Sequence, residues 1–187
     1  MTGENRVLHR ERVFEGVLVK VDRERVLLPG GREATLETIR HPGAAAILPF
    51  TSEDTVLLIR QFRHAAGGFI LEAPAGKLDH GEPPETCARR ELEEEVGWRA
   101  GRLTPLGAIV TTPGFTDEVI WLYEAHDLRL GRQSLEPDEV LEVLEVPLVR
   151  AVEMALAGEI RDAKTVCAVL LAWARRSTMP PGGAAAR

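Results

Sequence analysis

The segment from Gly76 to Trp98 constrains this chain more than any other, because it loads one helix face with carboxylates that repel one another. Pro83 and Pro84 suit a first helical turn, where the missing N–H has no intrahelical partner. Glu85 to Val96 is rich in good helix formers, and Gly97 sits where a left-handed terminating residue is needed. The spacing therefore predicts a helix starting near Glu82 or Pro83 and running about three and a half turns. On it Ala88, Leu92 and Val96 form an apolar stripe at i, i+4, i+8, while Glu91, Glu94 and Glu95 share the neighbouring face at i, i+3, i+4. Like charges at that spacing cost a few tenths of a kcal/mol per pair. An oxygen-only cluster of this kind suits a hard cation such as Mg²⁺ or Mn²⁺.

A glutamate-rich pentapeptide alone reads most simply as a solvated acidic helix face. The longer pattern is more specific. Gly76, five residues, Glu82, seven residues, then Arg90-Glu91-Leu92, Glu94-Glu95 and Gly97 with a large apolar residue after it resemble the signature of the Nudix hydrolases. Trp98 departs from the aliphatic residue usual at that last position but remains apolar. The resemblance implies an α/β class fold with a mixed sheet: a three-layer α/β/α sandwich, here preceded by an N-terminal antiparallel β-meander.

A chain of 187 residues, 44% hydrophobic, can bury the core of one ordinary domain. A net charge of −6 argues against a general binder of nucleic acid or anionic membrane. Cys87 and Cys167 form no CxxC pair, the start is polar, and no apolar run reaches the ~18 residues of a membrane span. The expectations are a cytoplasmic protein with a small substrate, no nucleic acid and no membrane. Cys87 reads as a packing residue, and His80 and the other histidines as loop residues rather than proton carriers.

In chain order, residues 1–10 read as frayed. From Val13, with Val17, Val19 and Val21 alternating and Pro29-Gly30-Gly31 as a turn, a meander of about three strands extends to Ile39. It has little core of its own. Further strands are expected at Ala44–Phe50, Thr55–Phe62, Arg102–Thr111, Glu118–Ala125 and Val140–Val146, with Gly67–Ala73 leading into the box glycine and helices over Leu148–Ala157 and Ala163–Arg176. The domain reading is residues 1–41 as a dimer-forming meander, 42–178 as the Nudix domain and 179–187 as a disordered tail.

Outside the box, Arg60-Gln61-Phe62-Arg63, Leu71-Glu72-Ala73-Pro74-Ala75-Gly76 and Thr112-Pro113-Gly114-Phe115-Thr116-Asp117-Glu118 look like motifs of bacterial ADP-ribose pyrophosphatases. Pro113 lies fifteen residues beyond Trp98, a spacing the resemblance associates with ADP-ribose hydrolysis. Gly158 to Thr165 also looks typical of that group. The resemblance implies Mg²⁺-dependent conversion of ADP-ribose and water to AMP and ribose 5-phosphate, with two or three Mg²⁺ ions (Mn²⁺ as a substitute) held by Glu91, Glu94, Glu95 and the Ala75 carbonyl.

The base in this group is a glutamate on a late loop, which alignment places at Glu139, with Glu142, Glu136 and the box residue Glu94 as rivals. Candidate substrate contacts are Arg40, Arg60, Arg63, Glu72, Gly114 and Phe115. Guanidinium groups match phosphate oxygens in a bidentate way, which favours Arg63, whereas Arg40 and Arg60 read equally well as arginines lying beside strands. Glu72 would accept a hydrogen bond from substrate or from an arginine. Arg90 reads as orienting the carboxylates. Phe14 and Phe115 are candidates to stack on adenine, though a lone aromatic is more often core. In related enzymes the N-terminal sheet exchanges with a second subunit, so a homodimer is expected. The rival activities are a nucleoside diphosphate sugar pyrophosphatase acting on ADP-glucose or GDP-mannose and a non-catalytic sensor of NAD-derived nucleotides.

Overall fold

A computed structural model of the protein describes residues 6–178, so the predicted tail and the first five residues lie outside the described part. The chain divides into two compact units, Met1–Gly43 with Val110–Val119, and Ala44–Ile109 with Ile120–Arg187.

The first unit is an antiparallel meander of β1 (Arg6–Glu15), β2 (Lys20–Leu27) and β3 (Glu33–Arg40) in that spatial order. Strand structure starts earlier than expected, at Arg6 rather than Val13. The reason lies in cross-strand charge pairs that a search for apolar alternation does not register: Arg10 donates to Glu24 at 2.6 Å and Arg12 to Asp22 at 2.5 Å, with both carboxylates buried. The Val17–Val21 alternation is not one strand. The Gly16 N–H donates to the Val19 carbonyl at 2.8 Å, closing a turn, and β2 begins at Lys20. The Val110–Val119 segment docks on β3, where the Ile39 N–H donates to the Phe115 carbonyl at 2.7 Å and the Asp117 N–H to the Ile39 carbonyl at 3.2 Å.

The second unit contains β4 (Ala44–Pro49), β5 (Thr55–Arg63), β6 (Gly68–Glu72), β7 (Ala75–Lys77), α1 (Pro84–Glu91), β8 (Trp98–Val110), β9 (Val119–Leu130), β10 (Leu141–Pro147), α2 (Leu148–Leu156) and α3 (Ala163–Thr178). Its strands form two sheets, β10-β5-β6 and β7-β4-β9-β8, and β4 runs parallel to β9. The period-2 alternation of strands explains how β4, buried at every position, serves two cores. Ala45 and Ile47 pack in a cluster with Cys87, Ala88 and Leu92, including two α1 residues; Ala44, Ala46 and Leu48 pack with Leu148, Ala151, Ala168 and Val169 of α2 and α3. The helices thus cover opposite faces, giving the expected α/β/α layering. Each fully buried Leu or Ile here contributes about 1.5–3 kcal/mol of transfer free energy.

The box helix is not uniformly α. Pro84 opens α1 at its first turn, but after Glu91 the backbone widens into a π turn, Leu92–Val96, which Gly97 ends at φ 78°. The carbonyls of this turn find partners in the segment leading towards β10: Ser134 N–H donates to the Glu94 carbonyl at 2.9 Å and the Gln133 side-chain amide to the Glu95 carbonyl at 2.7 Å. The box and the late loop are thereby tied together. Among the described residues, no helix is long and apolar enough to cross a membrane.

Candidate active site

β7 and the end of α1 bring backbone and carboxylates together. Glu95, 1% exposed, accepts a hydrogen bond from the Ala75 N–H at 2.9 Å. Glu91 lies against Gly76 so closely that a Cβ on that residue would stand 1.8 Å from Glu91 Oε1. The glycine is therefore a cradle for the carboxylate. Its φ is not in the left-handed region, so the requirement is space and not backbone freedom.

Burial pushes the Glu91 carboxyl above its ordinary range, and burial together with the Glu91 charge pushes Glu95 up to about 8. Glu139 adds to both effects, which places its charge within electrostatic reach of the two. Glu94 differs: its side chain is 43% exposed and pairs with Arg90 at 3.0 Å. Arg90 also donates to Glu91 at 2.6 Å, grips Glu82 through Nε and Nη2 at 3.1 and 3.0 Å, and caps the Lys77 carbonyl at 3.1 Å. It orients carboxylates, as its spacing suggested. Among the described residues, no three acidic, His or Cys side chains already surround one point, and Arg90 lies between Glu91 and Glu94. The donor set nevertheless fits a hard divalent cation: two buried carboxylates, Glu91 raised by burial even with Arg90 beside it, next to the Ala75 backbone.

A second cluster adjoins this one through β6. Glu72, 1% exposed, receives Arg63 side-on, Nε at 2.8 Å and Nη2 at 3.1 Å, and Lys164 of α3 at 2.5 Å. Burial alone would raise the Glu72 carboxyl; its two cations outweigh this and hold it below the usual range. The charge of Glu95 is felt at Arg63, which links the clusters.

The other candidates have partners or surroundings of their own. Arg60 pairs with Glu142 at 3.0 Å and lies over the Phe69 ring at 4.6 Å. Strand alternation sets Arg60 on the face of β5 opposite Arg63, so neither Arg60 nor the rival base Glu142 joins the cluster. Arg40, Gly114 and Phe115 belong to the first unit. Arg40 is engaged there by Asp22 and Asp117, each at 2.9 Å, and lies 2.6 Å from Glu24. Phe115 is exposed, and open space surrounds Gly114. Glu139 closes a turn through its own carboxylate, which accepts the Glu136 N–H at 2.8 Å.

Gln61, Asp162 and Lys164 lie in stretches that resemble the family's motifs, but sequence reasoning gave none of them a role. Gln61 is 3% exposed, its Oε1 has no partner among the described residues, and it shares the Arg63 face of β5. No local signal marks it, since glutamine is mostly an exposed residue. A cavity lined by Phe50, Trp98, Arg102, His126 and Arg176 contains none of the candidate residues. Its arginines are already engaged: Arg102 lies 3.5 Å from Asp127, and Arg176 lies over Phe50 at 4.0 Å and binds Glu124 at 2.7 Å.

Comparison with known proteins fits this arrangement. The NUDIX domain model matches residues 40–169. The chain is 40% identical over 168 residues to an ADP-ribose pyrophosphatase of Bacillus subtilis (strain 168), covering 89% of this chain and 91% of that one. It is 38% identical over 168 residues, with the same shares covered, to a methanol dehydrogenase activator of Bacillus methanolicus. A crystal structure of an ADP compounds hydrolase superposes with a TM-score of 0.83 at 25% identity, covering 95% of this chain and 98% of that one. The box at Gly76–Trp98, the carboxylates cradled behind it and these similarities together show that the chain belongs to the Nudix family of hydrolases.

Proposed function

We propose that this protein hydrolyses the pyrophosphate bond of ADP-ribose, giving AMP and ribose 5-phosphate, with Mg²⁺ or Mn²⁺ held by Glu91, Glu95 and the Ala75 carbonyl and assisted by Glu94. The observation that carries the reading is the pair of buried carboxylates, Glu91 and Glu95, set against Gly76 and Ala75 and held above their ordinary pKa range. When bound, two or three such ions supply neutralisation of phosphate charge and polarisation of a water. The protein's own groups do the rest. Arg63 offers guanidinium donors to a phosphate, and Glu139, on the loop tied to the box helix, receives the proton of the attacking water. The name of the Bacillus subtilis relative supports ADP-ribose as the substrate.

The test is kcat/KM with Mg²⁺ for ADP-ribose, ADP-glucose and GDP-mannose, followed as phosphate released by alkaline phosphatase from the products. ADP-ribose should exceed each nucleotide sugar by at least about tenfold, a difference of about 1.4 kcal/mol in transition-state binding. A nucleotide sugar turned over equally well would overturn the substrate while keeping the metal site.

The reading includes a homodimer formed through residues 1–41. Phe14, Leu18 and Leu36 of the meander are exposed, and apolar side chains on a thin sheet favour a covering partner. Light scattering at micromolar concentration should give twice the chain mass; a monodisperse monomer would contradict it.

A further inference from the structure

No step of the proposed hydrolysis uses Lys164, yet its side chain is only 11% exposed. It stands in the first turn of α3, 92 residues from the carboxylate it binds. The local sequence explains its placement. Asp162 accepts the Thr165 N–H at 3.0 Å and the Thr165 hydroxyl at 2.5 Å, an N-cap arrangement that fixes the start of the helix. The same Thr165 hydroxyl oxygen accepts the Ala73 N–H at 2.6 Å, which pins the helix to the backbone between Glu72 and Ala75. Lys164 is then held from both sides, by Asp162 at 3.0 Å and Glu72 at 2.5 Å.

The consequence concerns Arg63. Its guanidinium meets Glu72 only along the Nε and Nη2 edge, and Nη1 has no hydrogen-bond partner among the described residues. Glu72 is buried, and its Oε2 is shared by Arg63 and Lys164, so the carboxylate cannot rotate to take another guanidinium edge without losing the ammonium. Removing that ammonium frees the carboxylate and leaves more of the Arg63 charge cancelled by Glu72. We propose that Lys164 is a positioning residue that locks Glu72 so that Arg63 keeps its Nη1 edge directed to the diphosphate of the substrate. This rests on the pyrophosphatase reading above, and Lys164 itself touches no substrate.

The test is a double-mutant cycle of wild type, Lys164→Met, Arg63→Ala and the pair, read in two ways: steady-state hydrolysis of ADP-ribose with Mg²⁺, and calorimetric binding of ADP-ribose in EDTA, where turnover is absent. Lys164→Met should raise KM and the dissociation constant about tenfold with kcat changed less than threefold, and it should add less than twofold to the loss in Arg63→Ala. A merely structural lysine would instead lower the melting temperature and give losses that multiply in the double variant, and that result overturns the inference. So does a Lys164→Met protein with wild-type KM. If the single variant does not fold, Glu72→Gln breaks the same lock from its other side and is judged by the same cycle. Wild-type protein that binds ADP-ribose without cleaving it would sink the hydrolase reading alone, with the binding cycle still deciding the role of Lys164; wild type that neither binds nor cleaves overturns both.

Discussion

Replacing Glu95 with Gln lowers kcat for ADP-ribose by at least about 10³-fold, roughly 4 kcal/mol of barrier, while making the metal-free protein more stable at pH 8. The two effects have one cause. Glu95 is 1% exposed and its carboxyl is pushed up to about 8 by burial and by Glu91. Its folded-state pKa thus lies above the unfolded value, so its contribution is fully present below about pH 4.5 and is lost as pH rises through about 8. Gln carries no proton to lose and can still accept the Ala75 N–H. In EDTA, the stability of the variant relative to wild type should therefore rise from pH 5 to pH 8, by on the order of a few kcal/mol, and Mg²⁺ should stabilise wild type far more than the variant. Denaturant melts at the two pH values measure this directly. A variant that melts in parallel with wild type at both would show that Glu95 carries no such strain.

Gly76→Ala separates function from stability in the opposite sense. The three heavy atoms nearest the added Cβ all belong to the far end of the Glu91 side chain, with Oε1 at 1.8 Å and Cδ at 2.1 Å, and that group can swing aside. The backbone conformation at residue 76 accepts an L side chain. The variant should fold with less than about 1 kcal/mol of lost stability, yet lose on the order of 10²-fold in kcat because Glu91 leaves its place beside β7. Retention of full kcat would show that the glycine is not needed as a cradle. A large loss of stability would show that the neighbouring backbone, not the carboxylate, yields.

How far the chain could be read from its letters varies by residue. The box was legible because its chemistry is local: Glu82, Arg90, Glu91 and Glu94 meet within a turn or two of helix, so spacing along the sequence is spacing in the site. The π turn at Leu92–Val96 was not, since it is stabilised by Gln133 and Ser134 from a distant loop. Glu72 was expected to accept from substrate or from an arginine, and the β5–β6 pairing makes that arginine Arg63, but Lys164, 92 residues on, is brought in by α3. The separation of Arg60 from Arg63 was available in principle, because residues three apart in a strand face opposite ways. The early strand Arg6–Glu15 escaped notice because ion pairs with β2, not apolar alternation, mark its pairing.

The most direct measurement is chromatography of ADP-ribose incubated with the protein, first with Mg²⁺, then with EDTA, then with Mg²⁺ restored in excess. The account predicts AMP and ribose 5-phosphate in equal amounts in the first and third samples and intact ADP-ribose in the second. AMP formed equally fast in EDTA, or no AMP under any of the three conditions, would contradict it.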